Sequence, residues 1–582
     1  MEAVKKWWYW AALAACLLTA GWLRVAYTDT SRELIVGDET TYWYAAKSIV
    51  DHDTLIRNID GSMYRLEVPL TPTPALSPGY PVFIALVLEA GGDVRAVLTA
   101  NIVLNMIALG LMLLTMQQLG LARLPIVLAL AAAALYPGLI NNLDRMLTEQ
   151  LFLALFMGFV YCSLRGMIRD RLAWTLAAGL VLGLAVHVRA QALPFAALAA
   201  AFIVVVVPAK RVSRHIGVLV LGLVLIMAPW WIRNALTFDR LLLLTDAGQG
   251  AAVWGSVPYF LDMSTVDGDV ADVVARNMPP APDVYYRWRV FGFLHFMWGD
   301  IWNEQLAHPI RDLRKLMLLH PVAVVLPLLL SPLAILRRNL PALFIACIPM
   351  LVTLLAMPFH GLPRYAYPSV PFAIMILALL LSPTQAVSTK AGVANWQVKT
   401  GKWLAGGFLG ASIVFSVLLA YTLGVFALDM SKEMSSYRLA RYLGTSIEQL
   451  GPPAAEQTID LTGVPVENTT TIRPGRLYNS ADGPAIIKLD IPKLGGARVV
   501  TEVQLFIQGG YYFDRTTIYW RGTNTPEITE NAHYRFPNNP LRTTHTIYID
   551  DDVEHLMVVP FVFRWGKFNV DKVVVRKYVA PP

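Results

Sequence analysis

Apolar runs of about twenty residues recur along most of this chain before position 430, and few folds can accommodate them. In hydrocarbon, backbone amides and carbonyls must find partners inside the protein, which leaves helices or closed barrels. Runs of this length are helical. The charge content agrees, since 15% of the 582 residues are charged and 56% are hydrophobic, whereas a soluble domain carries about 25% charge. The pattern predicts about eleven spans. They lie near 7–27, 96–118, 124–140, 147–165, 172–188, 191–208, 215–233, 318–336, 341–358, 366–382 and 403–428. The basic start and first apolar run also fit a cleavable signal peptide, but the run is long for a signal core and no Ala-x-Ala site follows it.

Basic residues set the expected orientation. Lys5, Lys6, Arg123, Arg165, Arg169, Arg171, Lys210, Arg211, Arg214, Arg337, Arg338, Lys390, Lys399 and Lys402 all fall in loops on one side. That side, with the N-terminus, is expected to be cytoplasmic. These loop cations also account for the net charge of +7, and no basic aromatic-rich patch points to nucleic acid. The outer side receives a long loop at 28–95, a second at 234–317, and short turns near Asn141–Glu149, Val188–Ala190 and Phe359–Tyr365. Within the first loop, Val82–Leu88 is apolar but too short to span, and reads as a helix at the interface.

The tail, 430–582, changes character. Ser431–Gln449 reads as a helix leading out of the membrane. Beyond it, short alternating runs such as Val499–Ile507, Thr516–Trp520, Thr544–Ile549, Met557–Arg564 and Lys572–Lys577 predict an antiparallel β-sandwich. Its aromatics, Tyr511, Tyr512, Tyr519, Trp520 and Trp565, fit either a sandwich core or a sugar platform; the core is the favoured reading. The division expected is thus 1–429 in the membrane and 430–582 outside it. Cys16, Cys162 and Cys347 all fall in apolar spans, so no disulfide framework is expected. No Cys/His spacing suggests a structural zinc site.

Ionisable residues at a membrane edge are functional candidates. The outer edge collects Asp38, Glu39, Asp144, Arg145, Glu149, His187, Arg189, Arg233, Asn234, His360, Arg364 and Tyr365. Carboxylates beside several cations suit transfer of a group from a phosphate to a hydroxyl. A carboxylate accepts the proton of the attacking hydroxyl. A guanidinium fork matches the oxygens of the departing phosphate. An arginine at a helix end also snorkels to lipid headgroups, so the cluster weighs more than any one member.

Five short motifs, in order along one expected face, carry a resemblance. They are Gly37-Asp38-Glu39 with Tyr42 and Ala45; Ser77-Pro78-Gly79-Tyr80-Pro81; Leu147-Thr148-Glu149; Ala228-Pro229-Trp230-Trp231-Ile232-Arg233-Asn234; and His360-Gly361-Leu362-Pro363-Arg364-Tyr365 with Pro368 and Pro371. Over residues 30–380 the chain resembles the bacterial family 39 glycosyltransferases of the GT-C superfamily, relatives of protein O-mannosyltransferases and lipid A aminoarabinose transferases. The β tail lies outside the resemblance.

The resemblance implies a GT-C fold and an inverting transferase that uses a polyprenyl-phosphate sugar donor at the outer face of a bacterial inner membrane. It implies a hydroxyl acceptor on a cell-envelope glycan, a lipid or a protein. Asp38 would be the catalytic base, and Glu39 a neighbour that positions the acceptor or merely adds charge. Arg189 and Arg364 would face the phosphate, joined by Arg233, Arg145, His360 and Tyr365. Tyr42, Glu149 and Tyr80 are candidates for acceptor binding or support. Some relatives hold a divalent metal. No further acidic ligand set is apparent here, so none is assigned. The competing reading is a transporter or flippase of lipid-linked glycans, which predicts charges in both halves of the bilayer or inverted repeats. Neither pattern is found in the sequence.

Overall fold

The structure, a computed structural model, describes residues 2–31, 35, 37–56, 72–245, 248–260, 270–299, 316, 318–336, 340–359, 361–383, 393–473, 475–479, 485–496, 498–509, 515–528, 533–537, 544–560 and 567–581. The expected class is observed, a bundle of apolar helices followed by an all-β region. The N-terminal helices are α1 (Glu2–Tyr27), α2 (Asp38–His52), α3 (Gly79–Glu89), α4 (Val94–Gln118), α5 (Arg123–Leu135), α6 (Pro137–Ile140), α7 (Glu149–Arg169), α8 (Leu172–Val188), α9 (Pro194–Val206) and α10 (Val212–Phe238). Every expected span contains helix. Six described stretches are long and apolar enough to cross a membrane: Trp7–Tyr27, Val94–Gln118, Glu149–Arg169, Ala209–Phe238, Pro363–Leu381 and Asn395–Leu443. The other spans are shorter or interrupted, and proline explains two of them. Tyr136, before Pro137, is extended and ends α5, as the residue before a proline is biased to be. Pro194 starts α9 only after a short turn at Ala190–Ala192.

One apolar core runs through α1, α4, α5, α7, α8, α9 and α10 into the helices Leu340–Ala356 and Val370–Leu381. Phe156 sits within it, stacked on Phe152 at 5.4 Å and edge-on to Phe195 at 4.7 Å and Phe372 at 5.5 Å. Helices α8 and α10 approach through glycine. A Cβ on Gly222 would lie 2.6 Å from the Leu176 carbonyl oxygen, and one on Gly179 would collide with the carbonyl of Leu219. Membrane helices associate through packing rather than hydrophobic exclusion, so small residues that admit a neighbouring backbone carry the contact.

The β region holds eleven strands: β1 (Ala455–Asp460), β2 (Val466–Glu467), β3 (Thr469–Arg473), β4 (Arg476–Asn479), β5 (Ile486–Asp490), β6 (Val499–Gly509), β7 (Arg515–Gly522), β8 (His533–Pro537), β9 (Thr544–Ile549), β10 (Val553–Val559) and β11 (Lys567–Val579). One sheet runs β3-β4-β11-β6-β9, with β1 also on β11, and the other runs β2-β5-β10-β7-β8. All described pairings are antiparallel. Val503, Leu505 and Val575 from one sheet meet Ile487, Ile518, Trp520 and Leu556 from the other. Trp520 is a core residue; Tyr511, Tyr512 and Trp565 lie outside the described residues. The helical stretch Asn395–Leu443 continues past position 430 and sends Met430, Met434 and Tyr437 into the same core.

Inside this region Lys577 and Asp552 form a buried ion pair, and Asp552 also accepts from the amides of Leu494 (3.0 Å) and Gly495 (2.8 Å). Burial pushes the Asp552 carboxyl up, but the Lys577 ammonium and the two amides outweigh it and leave it below the usual range. A depressed carboxyl contributes stability above its unfolded pKa, about 4, and loses it as pH falls. Lys577→Met is therefore expected to cost about 3–5 kcal/mol at neutral pH. The gap to the parent should narrow below about pH 4, followed by near-ultraviolet circular dichroism in detergent.

Gly179→Ala should lower the melting temperature, with a cost of about 1–3 kcal/mol from forcing α8 and α10 apart. Gly407→Ala, where a Cβ meets nothing within 4 Å, should be neutral or stabilise by up to about 1 kcal/mol. Equal effects of the two changes on detergent-phase melting would contradict the close approach.

Candidate functional site

Four chain segments converge on one cluster. Helices α7 and α8 are joined at Asp170–Arg171, with Asp170 in the left-handed conformation. That tight turn makes them antiparallel, so the first residue of α7, Glu149, meets Arg189, the residue after α8. A carboxylate at a helix start and a cation at a helix end also suit the two helix dipoles. Arg189 donates through Nη2 to Glu149 Oε1 and through Nε to Thr148 Oγ1 at 2.8 Å. Its Nη1 is buried and has no hydrogen-bond partner among the described residues.

Arg364 enters from the short helix Pro363–Ala366. Its Nε lies 2.5 Å from Glu149 Oε1 and its Nη1 2.5 Å from Asp38 Oδ2. One guanidinium thus spans two carboxylates. The Glu149 side chain is 1% exposed and that of Asp38 63%, so the cluster runs from a sealed floor to an open rim. The turn before Arg364 is held from the segment between α10 and Leu340. Arg289 donates to the carbonyls of Gly255 (2.5 Å), Met357 (3.2 Å) and Pro358 (3.4 Å). Gly361 abuts the Phe293 carbonyl so closely that a Cβ would collide with it.

The acidic pair is the first turn of α2 rather than a loop. Gly37, at φ +59°, enters that helix in a conformation that glycine adopts without strain, and carboxylates in a first turn are favoured. The two acids then part. Asp38 faces the rim, whereas Glu39 is buried and accepts from the Met146 amide at 3.2 Å. Glu39 therefore braces the loop that leads to Glu149.

Helix α3 seats this assembly against α8. Gly79 abuts the backbone of His187 and Val188, where a Cβ would lie 2.7–2.9 Å from their atoms. Tyr80, completely buried, packs edge-on to Tyr42 at 5.3 Å. Burial pushes the Tyr42 phenol up, with Arg364 and Arg189 opposing. The Tyr365 ring packs against the main apolar core, within electrostatic reach of Arg364, Arg189, Glu149 and Asp38.

Arg233, Arg145 and His187 make other contacts. Arg233 lies over Trp230 at 4.7 Å and Phe238 at 5.1 Å and donates to Asn234 Oδ1 at 2.9 Å. The Arg145 carbonyl accepts from Asn101 Nδ2 at 2.8 Å, and the side chain is partly exposed. His187 Nε2 bonds the Ile226 carbonyl at 3.0 Å. His360 lies outside the described residues. Among the described residues, no three His, Cys, Asp or Glu side chains converge as metal ligands would.

Sequence reasoning passed over Arg24, Asn105, Gln150 and Tyr367, which form a buried hydrogen-bonded layer. The signal was present. Arg24 is the one charged residue in the run from Trp7 to Tyr27, and intramembrane charge is a pointer to function.

No protein-family model and no curated protein matches the chain. Among solved structures it is similar to the apo oligosaccharyltransferase of Archaeoglobus fulgidus, at 14% identity and TM-score 0.39, over 72% of this chain and 57% of that one. It is also similar to ArnT from Cupriavidus metallidurans bound to undecaprenyl phosphate, at 14% identity and TM-score 0.38, over 73% and 79%. A third is the arabinosyltransferase EmbB from Mycobacterium smegmatis, at 11% identity and TM-score 0.36, over 98% and 64%. The chain spans little more than half the length of the archaeal enzyme. Likeness at these identities and TM-scores assigns neither family nor activity.

Removing the buried acid should cost more than removing the exposed one. Glu149→Gln leaves two guanidiniums without their shared counter-charge and is expected to destabilise by about 3–5 kcal/mol. Asp38→Asn should cost less than about 1 kcal/mol. Thermal unfolding of the two purified variants checks the order.

Proposed function

We propose that the chain is an inverting GT-C glycosyltransferase that moves a sugar from a polyprenyl phosphate to a hydroxyl acceptor at the outer face of a bacterial inner membrane. The N-terminus would be cytoplasmic and the β region periplasmic. The acceptor would be a cell-envelope glycan, a lipid or a protein. The observation that carries this reading is the arrangement of Asp38, Arg364, Glu149 and Arg189. A solvent-reachable carboxylate is tethered to a guanidinium whose other edge rests on a buried acid, beside a second guanidinium with a donor to spare.

The chemistry follows from that arrangement. The phosphate of the lipid donor takes the spare Nη1 of Arg189 and competes with Asp38 for Arg364. Asp38 is thereby released toward the acceptor. The acceptor oxygen attacks the anomeric carbon on the face opposite the phosphate, and the bond from that carbon to the phosphate oxygen breaks. The electron pair leaves with the phosphate, where the guanidiniums stabilise it, and Asp38 takes the hydroxyl proton. Anchoring the donor by its prenyl chain supplies proximity without a covalent intermediate. Glu149 keeps both arginines in place and needs no proton transfer of its own.

The test is transfer from purified polyprenyl-phosphate sugars in detergent or nanodiscs, with a panel of sugars to identify the donor. Asp38→Asn should lower transfer by about 10²–10⁴-fold and leave undecaprenyl-phosphate binding at least as tight as the parent's, since Asp38 no longer competes for Arg364. Transfer at the parent rate by this variant would remove Asp38 as the base.

A further inference from the structure

One layer beneath the site lies a cation with no carboxylate partner among the described residues. Arg24 of α1 is completely buried. Its Nε donates to Asn105 Oδ1 at 2.6 Å, and its Nη1 to the carbonyls of Ala20 (3.1 Å) and Ala134 (3.2 Å). Its Nη2 donates to the carbonyl of Ala133 at 3.4 Å. Pro137 helps explain the last contact. A prolyl nitrogen has no hydrogen to offer the carbonyl four residues back, so the end of α5 leaves an acceptor open and Arg24 caps it.

The layer continues toward the ion pairs. Asn105 Nδ2 donates to Gln150 Oε1 at 2.9 Å and to the Tyr367 hydroxyl oxygen at 3.2 Å. The Tyr367 hydroxyl itself donates to Gln150 Oε1 at 2.9 Å. Gln150 Nε2 reaches the Asn142 carbonyl at 3.4 Å. All four side chains are buried. Gln150 follows Glu149 directly, and Tyr367 stands three residues after Arg364, about one helical turn on. The bond between Gln150 and Tyr367 therefore ties together the two backbones whose preceding residues form the Glu149–Arg364 ion pair.

We propose that Arg24, Asn105, Gln150 and Tyr367 are positioning residues for the lipid-phosphate site. They fix the start of α7 against the segment that carries Arg364, at the separation where one guanidinium spans Glu149 and Asp38. Arg24 acts from a distance by capping α5 and orienting Asn105, and none of the four touches the reacting atoms. A satisfied buried network of this kind specifies one geometry, because every broken bond leaves a polar group stranded. The identity of the bound anion rests on the glycosyltransferase reading.

The experiment is undecaprenyl-phosphate binding to the full chain in nanodiscs, measured for the parent, Tyr367→Phe, Arg364→Lys and the double variant. Tyr367→Phe removes one hydroxyl and keeps the ring, so folding should survive. Loss of the hydroxyl's two buried hydrogen bonds, to Gln150 and from Asn105, is expected to weaken binding at least about fivefold. Acting through Arg364, it should add little once Arg364→Lys has already lost the fork. Parent-like binding by Tyr367→Phe, or the same fivefold loss on top of Arg364→Lys, overturns the proposal. A parent that binds no undecaprenyl phosphate overturns the functional reading and this inference together. A parent that binds, beside a Tyr367→Phe variant that binds equally, overturns the inference alone. Arg24→Met supplies a second arm: weaker binding at an unchanged monomer fraction supports positioning, and parent-like binding contradicts it.

Discussion

The buried carboxylate of Glu149 is the interaction on which the site depends. Removing an ion from water costs several kcal/mol even after relaxation, and a side chain with 1% exposure can remain ionised only if partners replace its hydration. Two guanidiniums do so. One is placed by the hairpin of α7 and α8, the other by the turn that follows Leu340–Ala356. Because both aim at the same carboxylate oxygen, the helix start, the helix end and the turn cannot move independently. The Gly79 approach to α8 and the Arg289 contacts to Met357 and Pro358 then fix α3 and the turn before Arg364 on that frame. Glycine and arginine serve the same end by different means, close backbone approach in one case and saturation of open carbonyls in the other.

Periodicity and composition made the classes legible. Apolar runs located the long helices, and alternation located five of the eleven described strands, β6, β7, β9, β10 and β11, because both patterns follow from burial of a face. The span count was less legible, since Pro137 and Pro194 interrupt runs that hydropathy reads as continuous. Asp38, Glu149, Arg189 and Arg364 could each be singled out as ionisable residues at one edge. Which of them pair could not, because Arg364 reaches Glu149 across 215 residues and Asp38 across 326. Nor does sequence show which cation of a set will point inward. Arg233 stacks on its own helix's Trp230 and Phe238, a local choice made by neighbouring rings. Arg24 was legible as an anomaly but not as a partner of Asn105, which depends on how α1 crosses α4.

The β region is more than a tethered appendage in this geometry. The helical stretch Asn395–Leu443 enters the sandwich core without a break. Tyr437 donates to Asn277 Oδ1 at 3.0 Å, and Arg287 lies 3.1 Å from Glu433. Ala281, Val284 and Trp288, from the segment between α10 and Leu340, belong to the same apolar cluster as Trp520 and Leu556. Arg289, next to Trp288, is the residue that grips the turn before Arg364. The packing thus forms a continuous physical path from the sandwich core to the cluster at Glu149.

Asp38 and Glu39 show how one helical turn separates two tasks. Adjacent residues on a helix do not face each other. With the start of α2 fixed at Gly37, one acid is aimed at the open rim and the next at the loop before Glu149. The base proposed at Asp38 must reach its substrate and exchange a proton, which its place at the rim allows. A strut must hold one geometry, so it belongs where water cannot compete for its hydrogen bond. Exchanging the two residues would lengthen the rim acid by a methylene and shorten the strut. The order Asp-Glu therefore matches the short reach needed toward Arg364 and the longer one needed toward Met146.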